Sequence, residues 1–141
     1  MNELSWKFTK PLVGKTSIIK LAKILGIILP DDFISCVMLN NAGYPSLQNF
    51  ETSSGVDHLF SRLLSLDEQS AVNIFNTYDT MFSINGIENL LPFAGDPFGN
   101  YICYDFSEPI LKIVFFDHET CEVDSICQTF SELIGKLSPS K

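Results

Sequence analysis

The sequence contains no long hydrophobic run and few basic residues. No stretch of its 141 residues contains 18 consecutive apolar side chains, and the densest apolar run, residues 24–29, is too short to cross a bilayer. Lysines interrupt the first 15 residues, which therefore lack the apolar core of a secretory signal peptide. Nine Lys and Arg against 17 Asp and Glu leave no basic stripe for binding nucleic-acid phosphates. We therefore expect a cytoplasmic protein that binds neither membranes nor nucleic acid.

Cysteine and histidine are also scarce, which excludes most catalytic and metal-binding patterns. The four cysteines form no C-x-x-C pair, so neither a disulfide framework nor a standard zinc site is expected. The segment Gly14-Lys15-Thr16 lacks the upstream glycine of a phosphate-binding loop, because Thr9 stands there. His58 and His118 accompany no nucleophile motif. We expect a protein with no metal ion, no cofactor and no enzymatic activity, with a small hydrolase as the remote alternative.

The charges are unevenly distributed along the chain. Five of the nine basic residues lie in residues 1–30, whereas fifteen of the 17 acids and only two bases lie in residues 31–130. One interpretation is an acidic surface that only keeps the protein soluble. The other is an acidic face that attracts a basic protein partner.

Apolar spacing predicts four helices. The first covers residues 16–25 and ends at Gly26, and the second follows Pro30, with an aspartate as its cap, and ends at the corner NNAG of residues 40–43. The third is expected at about residues 68–78, and the last at residues 126–137.

Short aromatic and β-branched runs predict strands. They lie near Phe50 and at residues 59–66, 90–94, 101–106 and 110–116. Helices followed by a meander and a closing helix indicate one α+β domain at residues 16–141. Residues 1–15 form an N-terminal arm in which Trp6 and Phe8 are expected to dock, either on this chain or on another subunit.

Two adjoining strings stand out: LPFAGD at residues 91–96 and GNYICYD at residues 99–105. Shorter pieces accompany them in chain order: LPDDF at 29–33, NNAG at 40–43, IVFFDHE at 113–119 and FSELI at 130–134. Together they resemble the signature of the SUKH superfamily, which comprises bacterial immunity proteins and includes the yeast Smi/Knr cell-wall-synthesis regulators. The chain departs from that pattern at Pro97-Phe98 and at Ala42.

The resemblance and the residue patterns together predict a mainly antiparallel, twisted sheet of about four to six strands with helices packed against it. Gly95 and Gly99 permit positive φ at a turn, and Asn100 can do the same or bond to the turn's own backbone. Positions with a structural role in the family motif are Pro30, Gly43, Pro92, Phe93, Gly95, Gly99 and Asn100.

The resemblance implies an immunity protein that binds and neutralises a cognate polymorphic toxin, of nuclease type and therefore basic. The alternative is a Smi/Knr-like regulatory module that acts in cell-wall synthesis. Acid clustering and loop position identify candidate partner-binding residues: Asp96, Phe98, Tyr101, Asp105, Glu108, Asp117 and Glu119. The sequence does not indicate the oligomeric state.

Overall fold

The computed structural model describes residues 4–139. The helices are α1 (Thr16–Leu25), α2 (Asp31–Asn40), α3 (Ile74–Asn85) and α4 (Phe130–Lys136). The strands are β1 (Trp6–Lys7), β2 (Tyr44–Pro45), β3 (Asn49–Glu51), β4 (Asp57–Leu59), β5 (Arg62–Leu63), β6 (Leu90–Gly95), β7 (Tyr101–Asp105), β8 (Lys112–Phe116) and β9 (Val123–Cys127). No helix between residues 4 and 139 is both long and apolar enough to cross a membrane.

A five-stranded antiparallel sheet organises the fold. Its strands follow chain order, β5-β6-β7-β8-β9, and two small hairpins, β1-β2 and β3-β4, accompany it. The α+β prediction with a mainly antiparallel sheet is therefore confirmed. Strand register places Gly95, Tyr101 and Phe116 side by side at one end of the sheet. Asp105 and Lys112 pair at the other end.

Both faces of this sheet are buried. Alternation in β7 puts Ile102 and Tyr104 in the larger core, with α1, α2 and α4, and puts Cys103 in the smaller core beneath α3. Phe115 and Phe116, as neighbours in a strand, likewise enter opposite cores. Burial on both sides explains why these strands are nearly continuous apolar runs.

Phe33 in α2 is the centre of the larger core. Its ring packs edge-on, with centroids 5.5 Å apart, against Phe93, Tyr104 and Phe130. Phe93 can project into this cluster because β6 changes register between Pro92 and Ala94. A register irregularity is where a sheet tolerates proline, which has no N–H to donate.

The corner after α2 depends on Ala42 and Gly43 in different ways. The left-handed residue is Ala42, with φ +63°, whereas Gly43 is required for close packing. A Cβ at Gly43 would lie 2.7 Å from the Asn40 carbonyl oxygen and 3.2 Å from the Trp6 ring. The predicted aspartate cap of α2 was wrong. The extended N-cap residue is Pro30, and the helix has no side-chain cap.

Three boundaries differ from the prediction because longer-range or capping interactions determine them. Helix α3 begins near residue 74 rather than 68, since the side chain of Asn73 forms a reciprocal capping box with Asn76. The last helix was expected from residue 126, but Ile126 and Cys127 belong to β9, which pairs with β8, and α4 begins only after Thr129 caps it. The expected strand 59–66 is divided between β4, which pairs with β3, and β5, which pairs with β6.

Of the two aromatic residues of the arm, only Trp6 packs against the core. Strand β1 pairs with β2, and the Trp6 ring lies edge-on to Phe60 with centroids 6.0 Å apart. Phe8 is 77% exposed and has φ +57°, so it does not dock in the core.

Candidate partner-binding surface

The turn at residues 96–100, between β6 and β7, is organised by the Asp96 carboxylate. Asp96 Oδ1 accepts the backbone N–H groups of Phe98 and Asn100, both at 2.8 Å, and Oδ2 accepts Asn100 Nδ2 at 2.9 Å. Gly99 uses the positive φ that a glycine permits, at +88°, whereas Gly95 is the last residue of β6 and has no positive φ. The Asp96 side chain thus holds the shape of the turn that carries Phe98, which is 70% exposed.

Asn100 joins this turn to the neighbouring turn at residues 117–122. Its Oδ1 accepts the backbone N–H of His118 at 3.0 Å and lies 2.7 Å from His118 Nδ1. The His118 ring lies against Gly99, where a Cβ would be 3.2 Å from the ring Cε1. The Asn100 side chain donates to the Asp96 side chain rather than bonding the backbone of its own turn, and its bonds to His118 make the two turns one unit.

The second turn carries carboxylates that stay ionised. Backbone N–H groups of Glu119 and Thr120 donate to Asp117 Oδ1 and hold the pKa of Asp117 below its usual value. In β9, Asp124 accepts a hydrogen bond from the Ser54 hydroxyl, the main cause of its lowered pKa. Because hydrogen bonds favour the charged forms, both groups are fixed negative charges at neutral pH.

We use the term acidic end for the end of the sheet that carries these carboxylates: Asp96, Asp117, Glu119, Glu122 and Asp124. Between the β3-β4 hairpin and β9 it contains a groove of about 420 Å³ lined by Asp117, Glu122 and Asp124 together with the His58 ring. That ring stacks on Phe115, with centroids 3.7 Å apart. Residues 113–135 include no lysine or arginine, and the ring nitrogen His118 Nε2 lies 4.0 Å from Glu119 Oε1.

The structure brings together only some of the predicted partner-binding residues. Asp96, Phe98, Asp117 and Glu119 lie on the two joined turns, and Tyr101 follows directly, half-buried against both cores. Burial is the main reason that the pKa of the Tyr101 phenol is raised.

Asp105 lies at the opposite end of β7, about 13 Å from Tyr101 by strand rise, and Glu108 follows in the connection to β8. The Asp105 carboxylate already has partners there. It accepts hydrogen bonds from the Ser107 backbone N–H and hydroxyl, and it lies 3.8 Å from Lys112 Nζ. These two carboxylates are therefore outside the acidic end.

Sequence reasoning missed the roles of His58, Glu122 and Asp124. The two acids belong to an acid-rich segment that was visible in the sequence, so their clustering was a usable signal. The His58 stack on Phe115 joins residues 57 positions apart, and no local pattern indicates it. Between residues 4 and 139 no group of three or more His, Cys, Asp or Glu side chains is placed to hold a metal ion.

A family model described as SMI1-KNR4 cell-wall, of the SUKH type, matches residues 15–134 of the chain. The chain belongs to the SUKH family. The region matched by the SUKH model includes both turns and every carboxylate of the acidic end, whereas the arm at residues 4–14 lies outside it. Neither the curated proteins nor the solved structures yielded a match.

Proposed function

We propose that this SUKH protein is a non-enzymatic immunity protein that binds a cognate polymorphic toxin of nuclease type in the cytoplasm. The observation that supports the proposal is the acidic end, with five carboxylates on two cross-linked turns and the adjoining strand. A nuclease must attract phosphate and therefore carries positive charge around its cleft. A surface of opposite charge associates with such a cleft quickly and excludes the nucleic acid sterically.

The rigidity of the acidic end supports tight binding. Its turns are held by the bonds of Asp96, Asn100 and Asp117, so little conformational freedom remains to be lost on association. Exposed Phe98 provides an aromatic anchor beside the charges. Immunity by occlusion needs no chemistry of its own, and both histidines serve other contacts: His58 stacks on Phe115 and His118 bonds Asn100.

The second candidate is a regulatory module in cell-wall control, which the description of the matched family favours. Such a module would also act by binding a protein. The two candidates differ in the partner, a toxin in one case and an endogenous regulator's target in the other.

The decisive experiment is calorimetric titration of the protein with the C-terminal domain of a toxin-like protein encoded beside it, together with an assay of that domain's nuclease activity. We expect a 1:1 complex of nanomolar affinity that weakens with salt and abolishes cleavage. Absence of heat at micromolar concentrations with every such neighbouring domain would overturn the proposal in favour of the regulatory module.

A pair of double variants tests the surface. Glu119→Lys with Glu122→Lys reverses charge within the acidic end, and Glu88→Lys with Glu108→Lys makes the same change in net charge at the opposite end. We expect the first pair to slow association at least about tenfold at low ionic strength, while the second pair has a much smaller effect. Equal slowing by both pairs would show that net charge, and not this surface, drives association.

A further inference from the structure

A second groove, of about 640 Å³, lies between the arm, β2 and β5, and its charge is opposite to that of the acidic end. We call it the basic groove. The side chains that give it its chemistry are Phe8, Lys10, Tyr44, Arg62, Ser65 and Ser70. Two cations here are notable in a chain with a formal net charge of −8.

Tyr44 orients the Arg62 side chain, but no carboxylate of the described residues pairs with its charge. Its Nη1 donates to the Tyr44 hydroxyl at 3.2 Å, and the guanidinium lies 5.8 Å from the centroid of the Tyr44 ring. Among residues 4–139, neither Arg62 nor Lys10 forms an ion pair with a carboxylate. A guanidinium has five N–H donors, so most of those of Arg62 remain available for a carboxylate.

Phe8 stands at the rim of the basic groove in a strained conformation. Its φ of +57° is unfavourable for a bulky side chain, and its ring, 77% exposed, lies edge-on to Tyr44 at 5.7 Å between centroids. Strained, exposed residues of this kind concentrate at ligand-binding sites. The two rings offer an apolar surface beside the two cations.

We propose that the basic groove binds a short acidic segment of a protein partner. A carboxylate of the segment bonds Arg62 and Lys10, and a neighbouring apolar side chain packs on the rings of Phe8 and Tyr44. A short segment fits better than a nucleic acid, because the acidic remainder of the chain repels an extended polyanion. Arg62 pairs in the sheet with Gly95, which adjoins Asp96, but the basic groove shares no lining residue with the groove of the acidic end. The inference does not depend on the toxin proposal.

The test is a titration of the ¹⁵N-labelled protein at low salt, followed by amide chemical shifts. The probe is the capped tripeptide Asp-Trp-Asp, and the comparison probes are its counterpart Asn-Trp-Asn and inorganic phosphate. We expect saturable shifts near Phe8, Tyr44 and Arg62 with the aspartate peptide, and much weaker binding of the other two. No saturable shift, equal binding of the asparagine peptide, or equal binding of phosphate would each overturn the proposal.

Variants test whether the changes in amide chemical shift arise from binding in the basic groove. Arg62→Gln should weaken binding of the aspartate peptide about tenfold or more, the loss expected for a hydrogen bond to a charged group. Lys10→Gln, at an exposed position, should weaken it by a smaller factor and remains informative if the Arg62 variant fails to fold. Lys23→Gln removes the same charge from α1 outside the groove and is the matched control. Equal effects of Lys10→Gln and Lys23→Gln would contradict the assignment.

Discussion

Replacing Asn100 by alanine should loosen the acidic end and destabilise the protein. The substitution removes the bond from Nδ2 to Asp96 Oδ2 at 2.9 Å. It also removes the acceptor that lies 3.0 Å from the His118 backbone nitrogen and 2.7 Å from Nδ1 of the same residue. The backbone N–H of residue 100 can still donate to Asp96, so the turn itself should persist while its connection to the other turn is lost.

The expected cost follows from these three bonds. A net hydrogen bond contributes about 0.5–1.5 kcal/mol, and because His118 is exposed, water replaces part of what is lost. We therefore expect Asn100→Ala to lower the free energy of unfolding by about 2 kcal/mol. For a chain of this size that corresponds to a fall in Tm of roughly 8 °C.

Urea unfolding monitored by circular dichroism measures this cost, and Asn89→Ala is the matched control. The Asn89 side chain is exposed and forms no hydrogen bond within residues 4–139, so its loss should change the unfolding free energy by no more than about 0.5 kcal/mol. If Asn100→Ala lowers the unfolding free energy no more than the control does, the hydrogen bonds of Asn100 do not hold the two turns together. An unchanged association rate with the toxin domain would show that the connection between the turns does not serve binding.

Three further predictions concern packing, thiols and acid. Gly43→Ala should cost about 2 kcal/mol or more, because its Cβ would meet a backbone oxygen at 2.7 Å, whereas Gly135→Ala in α4 meets nothing and should stabilise by up to about 1 kcal/mol. Equal changes in Tm for these two variants would contradict the close approach of Gly43 to the Asn40 carbonyl oxygen. Cys121 is the one exposed cysteine of the four, so a disulfide reagent should modify one thiol quickly in the native protein and none quickly after Cys121→Ser. Ionised Asp117 and Asp124 have lowered pKa values, so the stability they contribute is present at neutral pH and is lost as the pH falls below about 4. Replacing both by asparagine should flatten the fall in stability below that pH, and an unaltered slope would contradict the assigned bonds.

The elements that the sequence predicts well depend on local patterns. Helix α1 ends at Gly26 in a left-handed conformation because a glycine adopts it without a steric penalty. Alternation in residues 101–105 correctly separates the side chains of the two sheet faces, since a strand has only two faces to offer. The motif residue Phe33 likewise lies in the core, as its place on the apolar face of the second helix predicts.

The sequence by itself therefore determined the α+β class, the central hairpins and the acidic character of the chain. Only the tertiary structure decided which acids share a surface: Asp96 joins Asp117 through Asn100 and His118, while Asp105 is held at the other end of β7. It also brought Arg62 of β5 beside Tyr44 to form the basic groove. The physical reason is that strand pairing and side-chain bonds join residues far apart in the chain, whereas helical period and strand alternation report only on neighbours.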